Sequence, residues 1–180
     1  MKASEIKISN SVDELFFIIA PPPHIKSDVS VLKDDVQYLT GRIFDDRYST
    51  AHIALFRFDD KKHFYDIVRE VKSKAKQFDP FNIFIDGLNS FWNGPHRTIC
   101  LDVANKFPVR EIFEKTVKEN ALYTPYISIA KKLREEDFRN VWPYLKDFRY
   151  SQHFLCDRIT VLARTENRWK HYSEIPFGNS

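Results

Sequence analysis

The sequence of 180 residues contains only four glycines, at positions 41, 87, 94 and 178. Phosphate-cradling loops need several glycines close together, because the backbone itself must approach the phosphate. Glycines spaced this widely cannot form such a loop, and the chain also has no Gly-x-Ser-x-Gly elbow for a serine nucleophile. The scarcity of glycine therefore excludes most nucleotide-binding enzymes of the glycine-loop classes and the serine hydrolases built on that elbow.

Cysteine is equally scarce. Cys100 and Cys156 lie far apart in the chain, without a Cys-x-x-Cys pair or a Cys/His cluster at metal-ligand spacing. This pattern favours neither a disulfide scaffold nor a zinc site. We expect two buried, reduced thiols, and we expect the protein to need no metal and no cofactor.

Long hydrophobic runs are absent too. The longest, Leu15 to Ala20, has six residues and follows two acidic residues, so it predicts neither a membrane span nor a signal peptide. With 43% hydrophobic and 29% charged residues, the composition is typical of one globular domain over residues 1–180, and we expect a cytoplasmic location. The formal charge of +3 allows an anionic ligand but is too small to indicate a dedicated nucleic-acid binder.

The chain contains one short internal repeat. Residues 49–58 and 123–130 align when Thr50 is set on Thr124, 74 residues later (124 − 50), and both then read Thr-x-(His/Tyr)-Ile-(Ala/Ser)-(Leu/Ile). Each segment alternates like a strand, so that His52 and Tyr126 face one side and the isoleucines that follow them face the other. One side of each strand is therefore apolar, and the other side can carry chemistry.

The segments around the repeat combine strand and helix patterns in a similar order in each half. Apolar runs and alternation predict strands, and apolar residues at helical spacing predict helices. The predicted strands cover 15–20, 49–58, 81–88, 98–103, 123–130, 154–163 and 168–175, and the predicted helices cover 25–44, the segment from the Asp59-Asp60 cap to Ala75, 108–117 and 135–145. This order predicts an α+β fold of two similar lobes with a groove between them.

The repeat resembles the two motif strands of the 2H phosphoesterase superfamily, which includes 2′,5′ RNA ligase-like proteins and cyclic nucleotide phosphodiesterases. The resemblance runs from Leu15 to Pro176 and rests on two short strands of the form His-x-(Thr/Ser)-x. It implies two pseudo-symmetric lobes of antiparallel sheet plus helices around a central groove. It also implies that one histidine acts as general base, the other as general acid, and that the hydroxyls hold the phosphate.

Each motif of this chain keeps one of the two functional residues. His52 matches the first histidine of the superfamily, but Ala54 stands at the position of its hydroxyl partner. Tyr126 replaces the second histidine, whereas Ser128 keeps the second hydroxyl. A tyrosine with its usual pKa near 10 donates hydrogen bonds but is a poor proton carrier at neutral pH. A symmetric two-histidine mechanism is therefore not available to this chain.

Two cationic side chains are further candidates for ligand contact. Arg97 follows a predicted Asn-Gly-Pro turn, and its guanidinium can hold a phosphate in two places. A salt bridge at the rim is the alternative for this residue. Lys131 directly follows the second repeat strand and can attract an anion towards the groove, while a solvated loop explains it equally well.

Three hypotheses about function follow. In the first, the groove binds the phosphate of a nucleotide or an RNA end through His52 and Ser128, and catalysis is weak or lost. In the second, the protein is an active 2′,3′-cyclic phosphodiesterase with an asymmetric site made by His52 and Tyr126. In the third, it is a non-catalytic module that binds a protein partner.

Overall fold

The computed structural model describes residues 12–117 and 122–178. The strands are β1 (Glu14–Ile19), β2 (Ile53–Phe58), β3 (Phe81–Asn93), β4 (His96–Val103), β5 (Tyr126–Leu133), β6 (Ser151–Cys156), β7 (Arg158–Thr165) and β8 (Arg168–Pro176). The helices are α1 (Pro23–Thr40), α2 (Phe64–Ala75), α3 (Lys106–Val117) and α4 (Glu135–Leu145), with a 3₁₀ turn at Lys61–His63. Within the described residues, no helix is both long and apolar enough to cross a membrane.

The eight strands found in the described residues form one antiparallel sheet that curls into a half-barrel. Their order is β6-β3-β4-β5-β2-β1-β7-β8. We call β2, β1, β7 and β8 the first lobe, and β5, β4, β3 and β6 the second lobe. The two lobes meet where β2 pairs with β5, so the repeated strands lie side by side at the centre. This arrangement confirms the predicted two-lobed α+β fold.

The strand β1 lies at the centre of the first lobe and is buried on both faces. Leu15, Phe17 and Ile19 alternate on the face that packs into the hydrophobic core, while Phe16 and Ile18, on the other face, are also buried. Burial on both sides explains why this segment is a continuous apolar run rather than an alternating one.

The helix α1 begins and ends at residues of special backbone geometry. Pro23 occupies its first turn, where the absent N–H of proline costs no hydrogen bond, and no side chain caps its start. The predicted start at residue 25 was therefore two residues late. The helix ends at Thr40 rather than Phe44, because Gly41 takes a left-handed conformation with φ 67° and donates its N–H to the Gln37 carbonyl.

The predicted strand 154–163 is two strands. Asp157 separates the two strands. Before it, β6 ends at the edge of the second lobe, and after it, β7 begins beside β1 in the first lobe. A continuous apolar pattern does not distinguish one strand from two that join different edges of a sheet. The strands β7 and β8 form a hairpin, and its two turn residues, Glu166 and Asn167, both have positive φ angles, 51° and 60°, as a tight two-residue turn requires.

Candidate functional site

The candidate site lies at the seam between the lobes. Ile53 of β2 pairs with Ile127 of β5 in antiparallel register, and these two isoleucines are equivalent positions of the repeat. Extended by one residue in each direction, this register sets His52 opposite Ser128 and Ala54 opposite Tyr126. The two residues that kept their superfamily identity are thus neighbours, and so are the two that changed.

Strand pairing separates the site face from the core face. Ala54 pairs with Ile18, and the His52 ring meets the Phe16 ring edge-on at 5.1 Å between centroids. A bulge between Phe17 and Ile18 then shifts the register. As a result Phe56, two residues after Ala54, stacks on Phe17 in the core at 4.3 Å instead of continuing the site face. The alternation predicted over the whole of 49–58 therefore fails after Ala54, and the regular strand starts only at Ile53.

His52 has a fixed tautomer and a lowered pKa. Its Nδ1 lies 2.7 Å from the Thr50 carbonyl oxygen, and a carbonyl can only accept, so Nδ1 carries the proton and Nε2 is the basic nitrogen. Burial is the main cause that lowers the pKa of His52, the Thr50 hydrogen bond opposes it, and the positive charges of Lys131, Lys33 and Arg57 lower it further. The imidazole is therefore neutral at neutral pH and sits in a positive potential.

The pKa values of His52 and His63 are expected to lie on opposite sides of the usual histidine value of about 6.5. His63 is the natural reference, because its hydrogen bond and ion pair with Asp60 raise its pKa, whereas burial lowers that of His52. An NMR titration of the ring protons, assigned with His52→Gln and His63→Gln, measures both. A pKa for His52 above that of His63 would contradict the buried, cation-facing environment of His52.

Ser128 and Asp46 form the second half of the site. The Ser128 hydroxyl donates to Asp46 Oδ2, and the backbone N–H of Lys131 donates to Asp46 Oδ1 at 2.8 Å. Below them Lys33, only 2% exposed, has its Nζ 3.8 Å from Asp46 Oδ2. Ser128 itself is 8% exposed, and its hydroxyl is engaged by the Asp46 carboxylate.

Asp46 was missed because the segment from Asp45 to Ser49 reads as a surface loop. One signal was available in the sequence, since Lys33 follows Val29 by four residues and therefore falls on the apolar stripe of α1. A lysine in that place needs partners inside the protein. Its Nζ donates to the Asp46 carbonyl at 2.6 Å, to the Ser49 carbonyl at 3.0 Å and to Ser49 Oγ at 2.9 Å.

Tyr126 is a neutral aromatic at the site. Burial raises its pKa, and the nearby Cys100 and Asp46 raise it further. Its ring meets the Phe91 ring at 5.2 Å, and Lys131 Nζ lies 5.8 Å from its centroid. A hydroxyl whose pKa is raised keeps its proton, so Tyr126 can donate a hydrogen bond or stack but cannot serve as a base near pH 7.

An aromatic and cationic cluster flanks His52 on the first lobe. Phe16 and Trp169 lie 5.5 Å apart, and the Arg57 guanidinium sits over both rings, at 4.7 Å and 5.3 Å. Glu14 pairs with Arg57 at 3.6 Å and with Arg164 at 3.2 Å. The sequence does not indicate this cluster, because several different strands contribute to it.

Arg97 is not brought to this site. Its guanidinium lies between the rings of Trp92, at 4.6 Å, and Phe138 of α4, at 4.0 Å, and it donates to Ser90 Oγ at 3.1 Å. The neighbour Phe138 belongs to the core, so Arg97 packs on the helix-covered side of the sheet. The structure thus brings together His52, Tyr126, Ser128 and Lys131, and leaves Arg97 apart.

A repeated two-lobed sheet with its motif strands at the seam defines a protein of the 2H phosphoesterase type. The family model for the 2′-5′ RNA ligase superfamily matches residues 21–168, and the chain belongs to this superfamily. No curated protein matches the sequence.

Solved structures share the fold at low sequence identity. TT0787 of Thermus thermophilus is 13% identical, with a TM-score of 0.68 over 93% of this chain and 100% of that one. E. coli LigT complexed with 3′-AMP is 10% identical, with a TM-score of 0.55 over 93% and 99% of the two chains. Usb1 of Kluyveromyces marxianus is 9% identical, with a TM-score of 0.55 over 94% and 100%.

Proposed function

We propose that the groove binds the phosphate of a nucleotide or an RNA end, and that catalysis is weak or lost. The observation that carries this proposal is the placement of His52 at the seam, opposite Ser128, under the combined positive charge of Lys131, Lys33 and Arg57. Cations that converge on a neutral, partly buried side chain favour an anionic ligand beside it. The position is also the one where the superfamily carries its motif residues.

The aromatic cluster favours a nucleotide over a bare phosphate. Trp169 and Phe16 border His52 on one lobe, and Tyr126 with Phe91 borders the seam on the other. Aromatic side chains of this kind stack on unpaired bases, and a guanidinium such as that of Arg57 adds a cation next to the base or the sugar-phosphate chain. E. coli LigT, which shares the fold, has been crystallised with 3′-AMP, ATP and phosphate.

Weak catalysis follows from the two positions that depart from the superfamily pattern, Ala54 and Tyr126. Opening a cyclic phosphate needs one group to take a proton and another to give one, on opposite sides of phosphorus. Tyr126 holds its proton more tightly than a free tyrosine, and Ala54 has no hydroxyl to stabilise the phosphate. The loss of one general acid or base lowers a rate by about 10²- to 10⁴-fold.

A binding experiment tests the proposal. We expect a short oligoribonucleotide ending in a 2′,3′-cyclic phosphate to bind more tightly than the same oligonucleotide ending in a hydroxyl. His52→Ala should weaken the phosphate-ended ligand about tenfold or more, since hydrogen bonds to charged groups contribute about 1.5–3 kcal/mol. Fluorescence anisotropy at two salt concentrations measures the affinities and the electrostatic share.

His63→Ala is the matched control, because His63 is an exposed histidine paired with Asp60 beside α2. It should bind like the unchanged protein. Equal affinity for both oligonucleotides, or an unaffected affinity in His52→Ala, would contradict phosphate binding at the seam and favour the protein-interaction hypothesis.

One observation favours the second candidate, an asymmetric cyclic phosphodiesterase. The Thr50 carbonyl fixes the His52 tautomer with Nε2 as the basic nitrogen, which is the arrangement that a general base needs. Turnover of 2′,3′-cyclic nucleotides by the unchanged protein that disappears in His52→Ala would establish this candidate and displace the binding-only proposal.

A further inference from the structure

In the free protein, the Ser128 hydroxyl already binds an anion, which is the carboxylate of Asp46. The Asp46 carboxylate accepts the Ser128 hydroxyl on one oxygen and the Lys131 backbone N–H on the other. The Lys33 ammonium stands 3.8 Å from the oxygen that Ser128 binds. A hydroxyl, a backbone N–H and a buried cation around one anion are the elements from which proteins build phosphate sites.

We propose that Asp46 is an internal stand-in for the ligand phosphate, which occupies the Ser128 half-site in the free protein and is displaced when a phosphate binds. The proposal rests on the function proposed above, in which the phosphate binds at the seam. Two anions cannot share these donors, because like charges at such short range repel strongly in a partly buried site. Asp46 therefore lowers the affinity for phosphate.

The contacts of the loop indicate how the displacement occurs. Lys33 holds the backbone of this loop, donating to the carbonyls of Asp46 and Ser49 at 2.6 Å and 3.0 Å and to Ser49 Oγ at 2.9 Å. These three bonds do not involve the Asp46 carboxylate. The carboxylate can thus rotate away from Ser128 while the backbone stays in place and the Lys33 cation remains to attract the incoming phosphate.

Removal of the carboxylate is the direct test. We expect Asp46→Ala and Asp46→Asn to bind inorganic phosphate and a 2′,3′-cyclic nucleotide about tenfold more tightly than the unchanged protein, measured by isothermal titration calorimetry. Asp45→Ala is the matched control, because Asp45 is the adjacent aspartate, is half exposed and pairs only loosely with Lys132 at 3.3 Å. It removes the same charge and should leave the affinity unchanged.

A second readout reports the displacement itself. The amide proton of Lys131 should shift on phosphate addition in the unchanged protein, and the Asp46→Ala protein without ligand should show a different Lys131 shift from the start. Circular dichroism and thermal unfolding establish that each variant is folded, and Asp46→Asn keeps the side-chain volume if Asp46→Ala does not fold.

The outcomes separate the two proposals. Tighter binding in the Asp46 variants with no change in Asp45→Ala supports the displacement. Phosphate binding by the unchanged protein that is equal or weaker in the folded Asp46 variants overturns the displacement and leaves the proposed function intact. If neither the unchanged protein nor a folded Asp46 variant binds phosphate, both the displacement and the proposed function are overturned. If Asp45→Ala raises the affinity as much as the Asp46 variants do, the effect is one of general charge, and the specific role of Asp46 is overturned.

Discussion

The double variant Ala54→Thr with Tyr126→His is expected to hydrolyse 2′,3′-cyclic nucleotides about 10²- to 10⁴-fold faster than the unchanged protein, the range that one restored acid or base contributes. The register of Ile53 with Ile127 places positions 54 and 126 opposite each other, so the two substitutions rebuild one half-site rather than two separate places. The other half-site retains His52 and Ser128, with the Ser128 hydroxyl bound to Asp46 in the free protein. Release of nucleoside monophosphate, followed by chromatography, measures the rate.

Three further variants make this result specific. Ala54→Thr alone and Tyr126→His alone should each give a smaller gain, and His52→Ala added to the double variant should abolish it, because both proton-transfer groups are then needed. A double variant that folds and binds cyclic nucleotide but remains inert would show that the seam does not have the geometry of a two-histidine site.

Phe17→Ala should lower the free energy of unfolding by about 3–5 kcal/mol, the usual cost of removing a fully buried phenylalanine ring. Phe17 has no exposed surface, stacks on Phe56 and lies in β1, which pairs with both β2 and β7. The loss is a large part of the roughly 5–15 kcal/mol that stabilises a typical domain. Denaturant unfolding followed by circular dichroism measures it.

Phe84→Ala is the matched control for this measurement. Phe84 is also a strand phenylalanine, but 49% of its surface is exposed and its ring lies beside His153. Its replacement should cost less than about 1 kcal/mol, as for most surface substitutions. Equal losses from the two variants would contradict the central position of β1, and Phe17→Leu provides a milder change if the alanine variant does not fold.

The pairing of the repeat has a consequence for how the site changed. Each motif lost one functional residue, but in space the losses fall on one half-site, Ala54 opposite Tyr126, and the retained pair on the other, His52 opposite Ser128. Because antiparallel strands pair residues whose numbers add to a constant sum, neighbours across the seam come from opposite ends of the two motifs. A motif-by-motif comparison therefore does not show that the two retained residues, His52 and Ser128, face each other across the seam.

Local sequence patterns were sufficient to predict several strands and helices. The alternation around Ile53 and Ile127 predicted the motif strands, and the apolar run from Leu15 to Ala20 predicted the buried strand β1. The repeat, with the strand and helix order around it, predicted the two lobes, because strand period is encoded within a few residues. It also made His52, Tyr126 and Ser128 candidate site residues, which remain predictions.

The remaining features depend on contacts between residues far apart in the chain. Asp46 accepts a hydrogen bond from Ser128, which is 82 positions away in the sequence. Trp169 of β8 contacts Phe16 of β1 because both strands pair with β7. Arg97 packs on Phe138 and lies apart from the seam. One apolar segment divides at Asp157 into two strands that belong to different lobes. Local periodicity carries no information about such partners, since they are set by the order in which strands pair and by the burial that this pairing creates.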